Sequence, residues 1–308
     1  MQLISITSGD YSAVIDVDHG ANCISLRNHR YGAKILREKP SLDAIPENPF
    51  LYGMPVLFPV NRISGGRFTF EGREYQFPIN EPKTNCHLHG LLHQTAFDVI
   101  EQTENRLVCR YHATAEQPYL NFPHEFSLTM TYELGADGLY HTAEIINHSD
   151  RTMPCLLGFH TTFQTLLTPR SKPENSQVQA EIAEEFERNE SYLPTGKQVP
   201  FDKASRELLQ GCFCPAHTSI SRHNRAPGNG NMSITDTEQG LRMVYQNDSS
   251  FTYRLILNSD REHYVCLEPQ NCLVNCFNAP FETLDMDSIS IPPQGKKIFT
   301  SHIYLESI

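Results

Sequence analysis

Apolar and polar residues alternate with a period of two along most of this chain. "RFTFEGREYQFPI" sets Phe68 and Phe70 on one face, turns at Glu71-Gly72 and resumes with Tyr75, Phe77 and Ile79, which predicts a hairpin. "HEFSLTMTYEL" alternates Phe126, Leu128, Met130, Tyr132 and Leu134 with serine, threonine and glutamate. "FTYRLILNS" and "KKIFTSHIYL" repeat the pattern near the C-terminus. Successive side chains of a strand point to opposite faces, so such alternation packs one face and leaves the other wet or lining a groove. Runs of this kind, closely separated by turn residues, predict an all-β fold, a large antiparallel β-sandwich with few and short helices.

Helical spacing is rare. "AEIAEEFERNE" places Ile182 and Phe186 four apart with acids between them, which fits a helix, although "SQVQAEI" just before it also reads as a strand. The Gly, Pro and Asn content of "SRHNRAPGNGNMS" predicts a surface loop over 221–233. No repeat, low-complexity segment or linker-like stretch interrupts the chain, so a single domain over residues 1–308 is expected.

The net charge of −11 argues against a nucleic-acid or anionic-membrane partner, since both need a concentrated basic patch. No run of about 18 apolar residues predicts a membrane span. "MQLISITSGDYS" lacks the basic start and apolar core of a secretory signal. Nine cysteines, an odd number, then read as reduced thiols of a cytoplasmic protein.

Four places carry polar groups where a strand would favour apolar ones. Arg62 stands between Phe58-Pro59 and the Ser64-Gly65-Gly66 turn, either as a surface arginine or as a fork of donors aimed into a cleft. In "NCHLHGLLH", His87 and His89 share a face if the segment is a strand, but no third ligand lies at motif spacing, so no metal is expected. His160 sits in the apolar stretch "GFHTTF", where a satisfied core histidine is the alternative to a functional one. Glu268 ends the alternating strand Tyr264, Cys266, Glu268 before Pro269. It is either an edge residue in solvent or a buried carboxylate with a raised pKa, poised as a base.

Together these segments resemble the aldose 1-epimerase (galactose mutarotase) family. The matching stretches are "GMPVLFPVNRISGGRFTFEGREYQFPIN", "LHG", "NFPHEFSLTMTYEL", "LGFHTTF", "LPTG" and "LEPQN", spread from about Gly20 to the C-terminus. The resemblance implies a galactose mutarotase-like supersandwich. It implies interconversion of the α and β anomers of a free aldose, a small-molecule partner, no cofactor and no metal. Carried over residue by residue, His160 looks like the general acid and Glu268 like the general base. Arg62 and His89 look like the groups that hold hydroxyls and ring oxygen. Mutarotation opens a hemiacetal by moving one proton off the C1 hydroxyl and another onto the ring oxygen, so two groups titrating near neutrality suit it.

Three features depart from the family pattern. Thr161, Thr162 and Phe163 follow the histidine where an aromatic with asparagine or serine is usual. "LLQGCFCPAHTS" lacks the sugar-binding aspartate of many galactose mutarotases. Without any tryptophan, a stacking platform falls to Phe58, Phe163 or Phe277. Two alternatives keep the fold: a hexose-6-phosphate 1-epimerase, with Arg67 and Lys83 as further cations near Arg62, and a non-catalytic sugar-binding protein. A monomer or a homodimer is compatible with either.

Overall fold

A computed structural model describes residues 1–41, 48–228, 230–258, 264–280 and 285–308. Two large antiparallel sheets pack face to face. The first runs, in spatial order, Asp98–Gln102, Arg106–Ala113, Phe126–Gly135, Gly138–Asn147, Lys296–Ser307, Leu241–Asn247, Gly230–Asp236 and Ser176–Ala180. The second, which carries the site, runs Pro194–Val199, Glu184–Arg188, Ile220–Arg225, Tyr253–Asn258, Tyr264–Gln270, Gly158–Phe159 and Val56–Leu57, with Thr162–Gln164 also paired to Tyr264–Gln270. A four-stranded sheet of Leu3–Ser8, Tyr11–Asp16, Asn22–Asn28 and Ala33–Lys34 lies at the N-terminal end.

The period-two segments form the strands they predict. Phe126, Leu128, Met130, Tyr132 and Leu134 are all fully buried in the main core. Arg67–Phe70 and Arg73–Gln76 make the hairpin, and Glu71 and Gly72 take positive φ values of 46° and 74° at its turn. The two sheets meet through Phe163 against Tyr245, with ring centroids 5.2 Å apart, and through Phe159 against His141 at 4.8 Å.

Two sequence expectations are corrected. The segment around Ile182 and Phe186 forms no helix: Ser176–Ala180 and Glu184–Arg188 are strands of opposite sheets, and pairing with Gly230–Asp236 and Ile220–Arg225 overrides the helical spacing. Most of 221–233 is likewise strand, Ile220–Arg225 and Gly230–Asp236. The one helix of two turns among the described residues, Lys203–Gln210, was not apparent from apolar spacing. Asp202 caps it by accepting from the Ser205 amide at 3.0 Å, and Gly211 closes it at φ 72°.

Candidate active site

The strand Tyr264–Gln270 alternates between two environments. Val265 and Leu267 point into the main core, whereas Cys266, Glu268 and Gln270 take the other face. Gly158 pairs with Gln270 and Thr162 with Cys266, and the Leu267 amide donates to the Thr161 carbonyl at 2.9 Å. That register sets His160 directly across from Glu268. Cross-strand neighbours of this kind hold their side chains side by side. His160 Nε2 lies 3.2 Å from Glu268 Oε1. Gly158 keeps the approach open: a Cβ there would sit 2.6 Å from Val60 Cγ2 and 3.1 Å from Gln270 Cγ.

Both members of the pair are buried, His160 to 6% and Glu268 to 1% residual exposure. Burial pushes the Glu268 carboxyl up to about 8, against the pull of a Gln270 hydrogen bond and of the Arg188 and Arg62 guanidiniums. Burial lowers the His160 imidazole to about 4. Gln270 Nε2 donates to Glu268 Oε2 at 3.3 Å, and Gln270 Oε1 accepts from Asn61 Nδ2 at 3.5 Å. The 3.2 Å approach of Nε2 to Glu268 Oε1 is not aligned as a hydrogen bond, and His160 Nδ1 has no hydrogen-bond partner among the described residues.

Arg62 reaches the same region but its fork is partly committed. Nε and Nη2 each donate to Glu81 at 2.7 Å, leaving Nη1. Burial alone would raise the Glu81 carboxyl, but hydrogen bonds from Arg62 and Thr84 hold it below its ordinary value. His89 does not share a face with His87. His89 and Gly90 both adopt positive φ, 63° each, and this kink turns His89 toward His160, with ring centroids 5.6 Å apart. A Cβ on Gly90 would fall 1.7 Å from the Phe58 carbonyl oxygen, so this turn requires glycine. His87 instead packs on Phe77 in the interior, with Nδ1 2.7 Å from the Pro78 carbonyl oxygen. Burial first, then His160 and Arg62, lower the His89 pKa well below 6.5, so its ring is neutral.

Phe58 and Phe163 offer no stacking platform. Phe58 is packed among Tyr119, Phe122 and Phe126, and Phe163 is fully buried between the sheets. Phe277 stacks on Phe68 at 4.6 Å. The aromatic at the site is Phe50, half-buried and 4.7 Å from His89, 4.5 Å from His93 and 5.8 Å from His160. Arg188 and Tyr192 complete the surroundings, with the Tyr192 ring 4.5 Å from Arg62 Cζ and 5.7 Å from Arg188 Cζ. Glu268 does not end its strand, which runs on through Pro269 to Gln270, and carrying the alternation past that proline would have found Gln270. Arg188 was hidden by the ambiguous period around Phe186. Phe50 and Tyr192 carry no sequence signal.

Ligand atoms of His160, Cys266 and Glu268 lie within 4.8 Å of one another, a spacing at which three residues could hold a metal ion. The Cys266 thiol already meets Thr162 Oγ1 at 3.3 Å.

A two-sheet antiparallel sandwich thus carries a buried histidine–carboxylate pair on one sheet face. Residues 2–286 match the sequence profile of the aldose 1-epimerases, and the chain belongs to that family. It is 25% identical to the uncharacterized Escherichia coli K12 protein YihR over 93% of this chain and 89% of that protein. It is 29% identical to the galactose mutarotase of Mus musculus over 48% of this chain and 42% of that one. A galactose mutarotase-like protein from Clostridium acetobutylicum superposes with a TM-score of 0.92 at 28% identity, covering 99% of this chain and 95% of that one. The galactose 1-epimerase of Lactobacillus acidophilus shares the fold at a TM-score of 0.73 and 14% identity, covering 100% and 95%. No helix among the described residues is long and apolar enough to cross a membrane.

Proposed function

We propose that this protein interconverts the anomers of an aldose, with His160 and Glu268 as the proton-transferring pair and Arg62 and His89 as sugar contacts. The observation that supports this reading is the buried 3.2 Å contact between His160 Nε2 and Glu268 Oε1.

The reaction needs two groups that together carry one proton. Between about pH 4 and about pH 8 the pair holds one, because the imidazole loses its proton first and the carboxyl keeps its own. When Glu268 takes the C1 hydroxyl proton, the C1–O5 bond breaks, C1 becomes an aldehyde and the imidazolium of His160 protonates O5. Rotation about the C1–C2 bond presents the other aldehyde face. Reclosure runs the same transfers backwards. The two oxygens share one carbon, so adjacent acid and base groups can serve both. In the sugar-free site the proton rests on Glu268, and sugar hydroxyls together with Arg188 must favour its ionised form on binding. Nine free thiols support a reducing, cytoplasmic setting for this chemistry.

Polarimetry with freshly dissolved α-anomers of several aldoses tests the reading. Faster decay to the equilibrium rotation with the protein supports it. Unchanged decay for every aldose, neutral and acidic, removes it.

A further inference from the structure

Arg188 is a half-buried guanidinium beside the proton-transferring pair that makes no ion pair among the described residues. Its hydrogen bonds go to neutral groups: Nη2 donates to the Ser221 carbonyl at 2.6 Å and to the Ser221 hydroxyl at 2.9 Å. Two carboxylates attract it through space, Glu268 and Glu185. Glu185 is committed elsewhere, at 2.6 Å to Arg222 and 2.6 Å to Ser205. Glu268 is itself the proton-transferring group. Glu81 is occupied through both oxygens by Arg62. A cation taken out of water without a counter-ion is unfavourable, and here a second cation, Arg62, adds to the burden.

Tyr192 ties the two cations together. Its ring contacts both guanidiniums, and it is 46% exposed. Its φ of 61° is uncommon for a bulky side chain and is held by a tight turn. In that turn Asn189 Oδ1 accepts from the Ser191 and Leu193 amides at 2.9 and 3.1 Å, and the Tyr192 amide donates to the Asn189 carbonyl at 2.9 Å. Strained residues held this way are frequent at ligand clamps. Arg62 Nη1 and the Nε and Nη1 of Arg188 are donors left over around this ring. Arg67 and Lys83, which follow Arg62 in sequence, are exposed and enter no ion pair among the described residues.

We propose that Arg188 and Arg62, on either side of Tyr192, form a subsite for an anionic substituent of the sugar, so that the preferred substrate is an acidic aldose. The anion is a carboxylate, sulfonate or phosphate at a carbon remote from C1, all of which offer several oxygens to guanidinium donors. The inference rests on the reading that the site binds an aldose.

The test compares a neutral hexose with its uronate, 6-sulfonate and 6-phosphate, by mutarotation rate and by calorimetric binding, at fixed pH and low salt. At least one anionic sugar is expected to exceed the neutral one tenfold or more in kcat/KM. Arg188→Gln should lower kcat/KM for the anionic sugar at least tenfold more than for the neutral one, and Arg188→Lys, which keeps the charge but not the fork, should fall between. Turnover of the neutral sugar with no gain from any anion overturns the subsite and leaves the epimerase reading standing. Arg188-dependent binding of an anionic sugar without turnover of any sugar sustains the subsite and overturns the epimerase reading. Equal losses on neutral and anionic sugars in Arg188→Gln, with a shifted pH profile, assign Arg188 to Glu268 alone and overturn the proposal.

Discussion

His160, in the break between the strands Gly158–Phe159 and Thr162–Gln164, faces Glu268 of the neighbouring strand with 3.2 Å between Nε2 and Oε1, and both are almost wholly buried. Burial moves their pKa values in opposite directions, the imidazole to about 4 and the carboxyl to about 8. A pair separated in this way holds one proton over the whole neutral range, which is the stock that a proton exchange between two sugar oxygens requires.

Removing either partner should stop the exchange. Glu268→Gln and His160→Ala are each expected to lower kcat by about 100-fold or more with the fold retained, on the scale of one acid–base group. Near-full activity in either variant, on a sugar the parent turns over, would take that residue out of the mechanism.

The pH profile of kcat/KM should be bell-shaped, with a plateau between about pH 4 and about pH 8. Below it the pair carries two protons and above it none. The electrostatics assign the acid limb to His160 and the alkaline limb to Glu268, the reverse of what ordinary pKa values of the two residues suggest. A flat profile from pH 3.5 to 9.5, after subtraction of the uncatalysed rate, contradicts the shared proton.

Stability should carry the same signature. The folded state keeps the Glu268 proton up to about pH 8, whereas an unfolded carboxyl releases it near 4.5. The folded protein therefore binds more protons in this window and loses stability as pH rises through it. His160 acts oppositely between about 4 and 6.5, where the unfolded state binds the extra proton. The two offset each other up to about 6.5, and the Glu268 contribution stands alone from there to about 8. Glu268→Gln should thus raise Tm relative to the parent by an amount that grows from pH 6.5 to 8.5. A pH-independent difference would show that Glu268 is not buried as a neutral acid.

Arg62 both holds Glu81 and faces Tyr192. Arg62→Lys loses the two parallel bonds while keeping the charge. It should cost about 1–3 kcal/mol in kcat/KM and about 1 kcal/mol or less in stability, because the pair is partly exposed. Glu81→Gln should show a smaller loss of the same kind. A drop in Tm with unchanged kinetics per folded molecule would make Arg62 a structural clamp only.

Much of the fold was legible because half-buried antiparallel strands impose alternation, as in Phe126–Leu134. Gln270 was missed because the strand was read as ending before Pro269, whereas it runs through that proline. The opposition of His160 and Glu268 was not legible, since register between residues more than a hundred positions apart depends on how the strands pair. Phe58 and Phe163 look like stacking residues in sequence, but their strands turn them into the core. Phe50, Arg188 and Tyr192 arrive from connections and sheet edges, where neither period nor motif marks them.

The most direct test is two-dimensional exchange NMR on an equilibrated aldose in D2O, read at the anomeric protons. With the protein, α–β exchange cross-peaks should appear at mixing times that show none without it. The C1 proton should be retained, because protons move only on oxygen, and Glu268→Gln should return the cross-peaks to the protein-free level. Exchange no faster than in protein-free solution, across both neutral and acidic aldoses, would contradict the account.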